Sequence, residues 1–190
     1  MKYLIISISL SLLLALFGYI KKAMTNSALL LAFLFTFLIT YYGGISSYLI
    51  LVTVFLGTVI ASKIRKNERL KININTIEKY GQKDIYEIIA NVGVGTILII
   101  LYKFLQNELL LVIYASIMAE SLADSLASDI GVLSHKRPIN IITLKRSEPG
   151  LSGNISLLGL ASSFIGSLII GLIFTTFTFN IKYLIIITLS

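Results

Sequence analysis

Of 190 residues, 56% are hydrophobic and 13% charged, with a net charge of +7, no cysteine and a single histidine. That balance excludes an ordinary water-soluble domain, and the lack of cysteine excludes disulfide, thiol and Cys–zinc chemistry. The basic residues fall in connections between apolar runs, so membrane orientation and anionic headgroups account for them and nucleic acid does not.

A hydrocarbon core about 30 Å thick requires roughly 20 apolar residues per spanning helix. Six runs meet this in chain order: 3–20, 27–42, 45–62, 85–105, 109–130 and 154–176. The first has a single Lys2 before it, no small-x-small cleavage site, and Lys21-Lys22 directly after it. It reads as a retained span, not a signal peptide. The second and third are separated only by Gly43-Gly44, a tight turn. The basic segment 63–84 follows.

The fourth run opens with Asp84, Glu87, Asn91 and Gly95, the last three spaced by four and so on one helix face. Glu87 and Asn91 on that face point to a cavity or to a neighbouring helix. The alternative is an interfacial Glu87 in water, with Asn91 bonding between helices. The fifth run carries Glu120, Asp124 and Ser128 at the same spacing, with Ser121 and Ser125 beside them and Asp129 following. A carboxylate placed centrally costs roughly 2.5–3.5 kcal/mol of insertion, so such groups need partners. Asp124 and Asp129 are separated by about 140° around an ideal helix. They converge on one ion only if the helix unwinds near Gly131; otherwise they address different partners. Oxygen ligands without cysteine suit Mg²⁺ carrying substrate phosphates. The alternative leaves Asp129 solvated at the helix end and Asp124 alone within the membrane.

The loop 131–153 supplies cations: Lys136, Arg137, Lys145 and Arg146. Its end, Pro149-Gly150-Leu151-Ser152-Gly153-Asn154, leads into the sixth run, where backbone N–H groups at a helix start can take an anion. Together these make a candidate nucleotide-phosphate site, while His135 reads as a solvated loop residue. Beyond Lys182 the chain has eight residues, too few to cross at about 1.5 Å each. This end is expected to lie at the interface or to be half of a span.

With six alternating spans, thirteen of the sixteen Lys and Arg fall on one side, leaving Lys2, Lys103 and Lys182 on the other. The N-terminus is therefore expected outside and loops 63–84 and 131–153 in the cytoplasm. The architecture is a single all-α integral-membrane domain over 1–190, embedded in the lipid bilayer of the cell membrane.

Glu78 through Gly93 resembles the "GRRDxxQVLANGG" signature of a multi-pass membrane family that includes plant phytyl-phosphate kinase and animal transmembrane protein nineteen. Ala123 through Gly131 is similar to its "ADTxASEIG". Pro138–Thr143 and Pro149–Gly159 resemble "PRxITT…PGTSGGVSLLG", and Lys22–Ala28 resembles its start. The ordered match covers about residues 20 to 165. It implies an enzyme that transfers a phosphoryl group from CTP or ATP to an isoprenoid phosphate, distantly similar to CTP-using cytidylyltransferases and dolichol kinases. On that reading Asp124 and Asp129 are catalytic and hold Mg²⁺. Lys145, Arg146, Ser128, Ser152 and Gly153 bind the nucleotide, and Glu87 and Asn91 line the pocket. Gln82, Glu87, Leu151 and Asn154 depart from the family's usual Arg, Gln, Thr and Gly. The family pattern continues into a second acidic segment, "GSxxDSLLGAxxQ", before which this chain stops, so a truncated member with slow turnover is expected. A non-catalytic transporter or scaffold is the alternative, although no internal repeat favours a transporter.

Overall fold

A computed structural model describes residues 2–72, 82–148 and 153–190, with side chains from 68 to 72 left aside. Five helices are long and apolar enough to cross a membrane. In order these are α1 (Lys2–Ile20), α2 (Asn26–Ile72), the α3–α4 helix, α5 (Glu108–Gly131) and α6 (Leu157–Thr178). The third of them consists of α3 (Ile85–Ile88), a π-helical turn (Ile89–Gly93) and α4 (Val94–Leu105).

The apolar part of α2, Asn26–Asn67, has 42 residues, about twice what one crossing needs. It reverses at Gly44, whose φ of 74° and ψ of −167° lie in a region open essentially to glycine. Residues equidistant from Gly44 meet again. Ala28 packs in one cluster with Val59, and Thr36 faces Leu51 across a cavity. Six membrane crossings result, as the run lengths predict. The helix does not stop at residue 62, however, but continues to Ile72. The reason is compositional: Lys63, Arg65 and Lys66 are good helix formers, and their charges favour water over lipid.

The interior reverses the usual order of a soluble core. On α1 the buried residues are Ser7, Ser11 and Gly18, while Leu12, Leu13 and Leu16 are exposed. In lipid there is no gain in hiding leucine, so small residues take the contacts and let backbones approach. Hydroxyls in these contacts bond back to their own helix, as Ser11 does to the Ser7 carbonyl at 2.7 Å and Thr40 to that of Thr36 at 2.6 Å. The main cluster joins Ile39, Ile50, Ile99, Met118, Leu122 and Ile170 around buried Tyr114, whose hydroxyl donates to the Ser47 carbonyl at 2.8 Å.

Helices α5 and α6 run antiparallel on small residues. A Cβ on Gly131 would come within 2.9 Å of the Gly159 Cα, and one on Gly166 within 3.4 Å of the Ala123 Cα. Ser156 caps α6, accepting from Gly159 N–H at 3.0 Å while donating to the Gly131 carbonyl at 2.8 Å. The connection folds into a short antiparallel pair, β1 (Ile139–Asn140) with β2 (Asn154–Ile155), so residue 154, expected in the span, lies before it. After Asn180 the nine-residue α7 (Ile181–Leu189) folds back on α6. Tyr183 meets Phe174, Ser167 donates to the Thr188 carbonyl at 3.0 Å, and Ile187 is buried. The tail is thus a half-length helix packed within the bundle, not an interfacial strip.

Candidate functional site

Three chain segments meet at the end of the bundle that carries the basic loops. The link between α1 and α2 lies beside the entry to α3: Lys83 N–H donates to the Ala23 carbonyl at 2.9 Å, and Thr25 N–H donates to that of Lys83 at 3.0 Å. This parallel bridge fixes the Lys83 backbone. One residue on, Asp84 starts α3 with a reciprocal cap. Its carboxylate accepts from Glu87 N–H at 2.9 Å, and the Glu87 carboxylate accepts from Asp84 N–H at 3.1 Å. The third segment is the end of α5. Asp129 Oδ1 accepts from the Arg65 guanidinium at 2.9 Å, and Oδ2 accepts from the Ser62 hydroxyl at 2.7 Å.

The α5 helix is unbroken through Asp129, so Asp124 and Asp129 do not converge by unwinding. Of the two, only Asp129 has a partner among the described residues. Asp129, with its side chain 14% exposed, is committed to Arg65 and Ser62. Asp124 is exposed and, among the described residues, forms neither ion pair nor hydrogen bond. It lies seven residues before the helix end, about 10 Å along the axis.

Lys83 connects the two. Burial pushes its ammonium below the ordinary lysine value of 10.5, while the fields of Glu87, Asp129 and Asp124 oppose that shift. All three carboxylates are therefore close enough to be felt. Yet among the described residues the Lys83 ammonium forms neither ion pair nor hydrogen bond. Lys83 also lines a cavity of ≈ 50 Å³ between α1, both halves of α2, the π turn and α5. Asn91, central in the π turn, lines it too, with Ser121, Phe35 and Phe55. A π turn inserts one residue into the helical register and is frequent at functional sites. Glu87, expected beside Asn91 in the pocket, does not line the cavity; it is exposed and caps α3.

The loop is ordered around Asn140. Its N–H donates to the Lys145 carbonyl at 2.9 Å, and its Oδ1 accepts from the N–H groups of Ile142 and Thr143. Its Nδ2 donates to Asn154 Oδ1 at 3.1 Å. This presents Lys145 and Arg146 exposed on a fixed turn, with Gly153 at φ 78° behind it. Ser128 is exposed on α5, and Ser152 lies outside the described residues. Asp129's ion pair is with Arg65, not with either loop cation.

Among the described residues no three His, Cys, Asp or Glu side chains form a metal cluster. The arrangement still fits a Mg²⁺ ion that arrives with phosphates, since such ions need only one or two protein carboxylates. The donor capacity is on Asp124, because a metal on Asp129 would have to displace Ser62 or Arg65. Sequence reasoning missed Ser62, Arg65 and Lys83 as site residues. A signal for the first two existed: they are three apart, on one face at the membrane end of a span.

Over residues 9–190 the chain matches the profile of the integral membrane protein family DUF92. It is 25% identical over 171 residues to an uncharacterized membrane protein of Methanocaldococcus jannaschii, covering 89% of this chain and 69% of that protein. It is 24% identical over 188 residues to the protein PGR of Arabidopsis thaliana, covering 92% of this chain and 65% of that protein. The chain thus spans about two thirds of the length of these relatives. No solved structure matches it.

Proposed function

The chain belongs to the DUF92 family of integral membrane proteins, and we propose that it transfers a phosphoryl group from CTP or ATP to the phosphate of an isoprenoid lipid. One observation supports this reading: Lys83, which lines the cavity, and Asp124 on α5 feel each other's charge, and among the described residues neither is paired. A reaction between two phosphates needs both signs of charge there, one to hold a metal–nucleotide and one to neutralise the acceptor.

An oxygen of the acceptor phosphate forms a bond to the γ-phosphorus. The bond from that phosphorus to the β–γ bridging oxygen breaks, and its electron pair leaves with the nucleoside diphosphate. A phosphate monoester, with a second pKa of about 6, already has a charged attacking oxygen at neutral pH. No general base is required, which suits a site whose only histidine, His135, lies in the loop. Asp124 would hold a Mg²⁺ that arrives with the nucleotide, and that ion would supply charge neutralisation to the phosphates. Lys145 and Arg146 bind the nucleotide's phosphates from the loop. Asp129 keeps Arg65 in place, and Asn91 lines the cavity.

The test is transfer of γ-³²P from CTP or ATP to geranylgeranyl or phytyl phosphate by the purified chain in detergent. The expected result is slow, Mg²⁺-dependent formation of lipid diphosphate that Asp124→Asn abolishes. If wild-type protein binds no nucleotide and transfers no label, the proposal fails.

A further inference from the structure

Resting on the lipid-phosphate reading above, we infer that Lys83 is the anchor for the acceptor's phosphate, holding a membrane-resident monophosphate ester whose chain starts into the cavity behind it. Placement decides between the two phosphates of the reaction. Lys145 and Arg146 are exposed in an extramembrane loop, where a water-borne nucleotide arrives. Lys83 instead lines the cavity among Leu14, Phe35, Phe55 and Ile88, at the junction of polar end and apolar interior. An ester with a charged head and a hydrocarbon tail matches that junction, and a nucleotide does not. At ≈ 50 Å³ the cavity is well below the roughly 300–1,000 Å³ of a ligand pocket. It accommodates only the first carbons of such a chain and leaves the rest to the lipid.

The backbone around Lys83 is built for a fixed position. Two main-chain bonds tie it to Ala23 and Thr25, and the cap of α3 begins at the next residue. The stem is half-buried, and among the described residues the ammonium is paired with none of Glu87, Asp124 and Asp129. Those carboxylates would repel a phosphate that had no cation between it and them. Among the described residues Lys83 is the cation that lines the cavity, whereas Arg65 pairs with Asp129.

The test compares equilibrium binding of geranylgeranyl phosphate and geranylgeraniol to the full chain in nanodiscs, without nucleotide. A charge-assisted contact predicts that the wild type prefers the phosphate by about ten- to a hundredfold. Lys83→Met should erase the preference while alcohol affinity stays unchanged, which also reports that the variant is folded. Lys83→Arg should keep most of it, and Lys145→Ala should leave it intact. A preference that survives Lys83→Met, or none in the wild type, overturns the inference. The kinase reading fails separately. Phosphoryl transfer insensitive to Lys83→Met refutes the anchor and leaves the kinase, whereas a Lys83-dependent preference without transfer from CTP or ATP refutes the kinase and leaves the anchor.

Discussion

The assignment of Asp129 to Arg65 and not to a metal can be measured as a coupling energy. The pair has an N–O distance of 2.9 Å with each side chain 14% exposed. Exposed pairs contribute about 0–1 kcal/mol, and breaking a fully buried one costs about 3–5 kcal/mol. This pair sits nearer the buried end, with the Ser62 hydroxyl at 2.7 Å satisfying the second carboxylate oxygen. A charge-assisted bond in that setting contributes about 1.5–3 kcal/mol. Arg65 has other interactions that a single substitution would also remove. Only a double-mutant cycle of Arg65→Met and Asp129→Asn isolates the pair. Unfolding free energies of the four proteins in bicelles, at low salt and without divalent metal, should give a coupling of about 2 kcal/mol. A coupling below about 0.5 kcal/mol would show Asp129 to be uncommitted and return it to the metal site.

Asp124→Asn should abolish Mg²⁺-dependent nucleotide binding without lowering membrane yield; surviving binding with collapsed yield would make Asp124 a packing residue. Gly44→Ala should cost about 1–3 kcal/mol through backbone strain alone, since an added Cβ would meet nothing within 4 Å. An unchanged unfolding midpoint would place the reversal of α2 elsewhere. In this cysteine-free chain, Lys66→Cys and Asn107→Cys should label from opposite faces of sealed vesicles, and labelling from one face only would refute the topology. Because burial holds Lys83 below 10.5 against the fields of Glu87, Asp124 and Asp129, its grip on a phosphate should be strongest at low pH within the range where the phosphate stays charged. It should be lost as pH rises through a value below 10.5. Lys83→Arg should retain binding there because arginine stays charged, and an identical alkaline loss in both proteins would exclude Lys83 as the titrating group.

The six crossings were legible because lipid imposes a length and a composition on each of them. Run lengths alone located every span, with all ends but that of α2 within three residues, and two glycines marked the reversal of α2. Boundaries moved where a second interaction competed with hydropathy. Helix α2 runs past Ser62 because its charged residues remain good helix formers outside the membrane. Residue 154 left the last span because its neighbour Ile155 pairs with Ile139 in a strand. The docking of α7 depends on the small faces of Ser167 and Gly171, a contact between helices that no local pattern encodes.

At the end of the bundle, the acidic groups were legible in the sequence and the cations beside them were not. Carboxylates inside an apolar run stand out because each one costs insertion energy, so Asp124 and Asp129 attract notice without any structure. Cations at the ends of spans do not, since most of them serve orientation; apart from the three-residue spacing of Arg65 from Ser62, nothing in the sequence set Arg65 and Lys83 apart from Lys63 and Lys66. What separates them is tertiary. A helical hairpin turned at Gly44 carries Arg65 back to the end of α5, and a bridge between Met24 and Lys83 carries the lysine to the cavity mouth. The two similar-looking acids part for the same reason. Asp129 lies where the returning end of α2 can reach it, whereas Asp124, five residues earlier, has no described side chain within bonding distance. Position along one unbroken helix therefore divides the pair into a carboxylate bound to the end of α2 and one that is unpaired among the described residues.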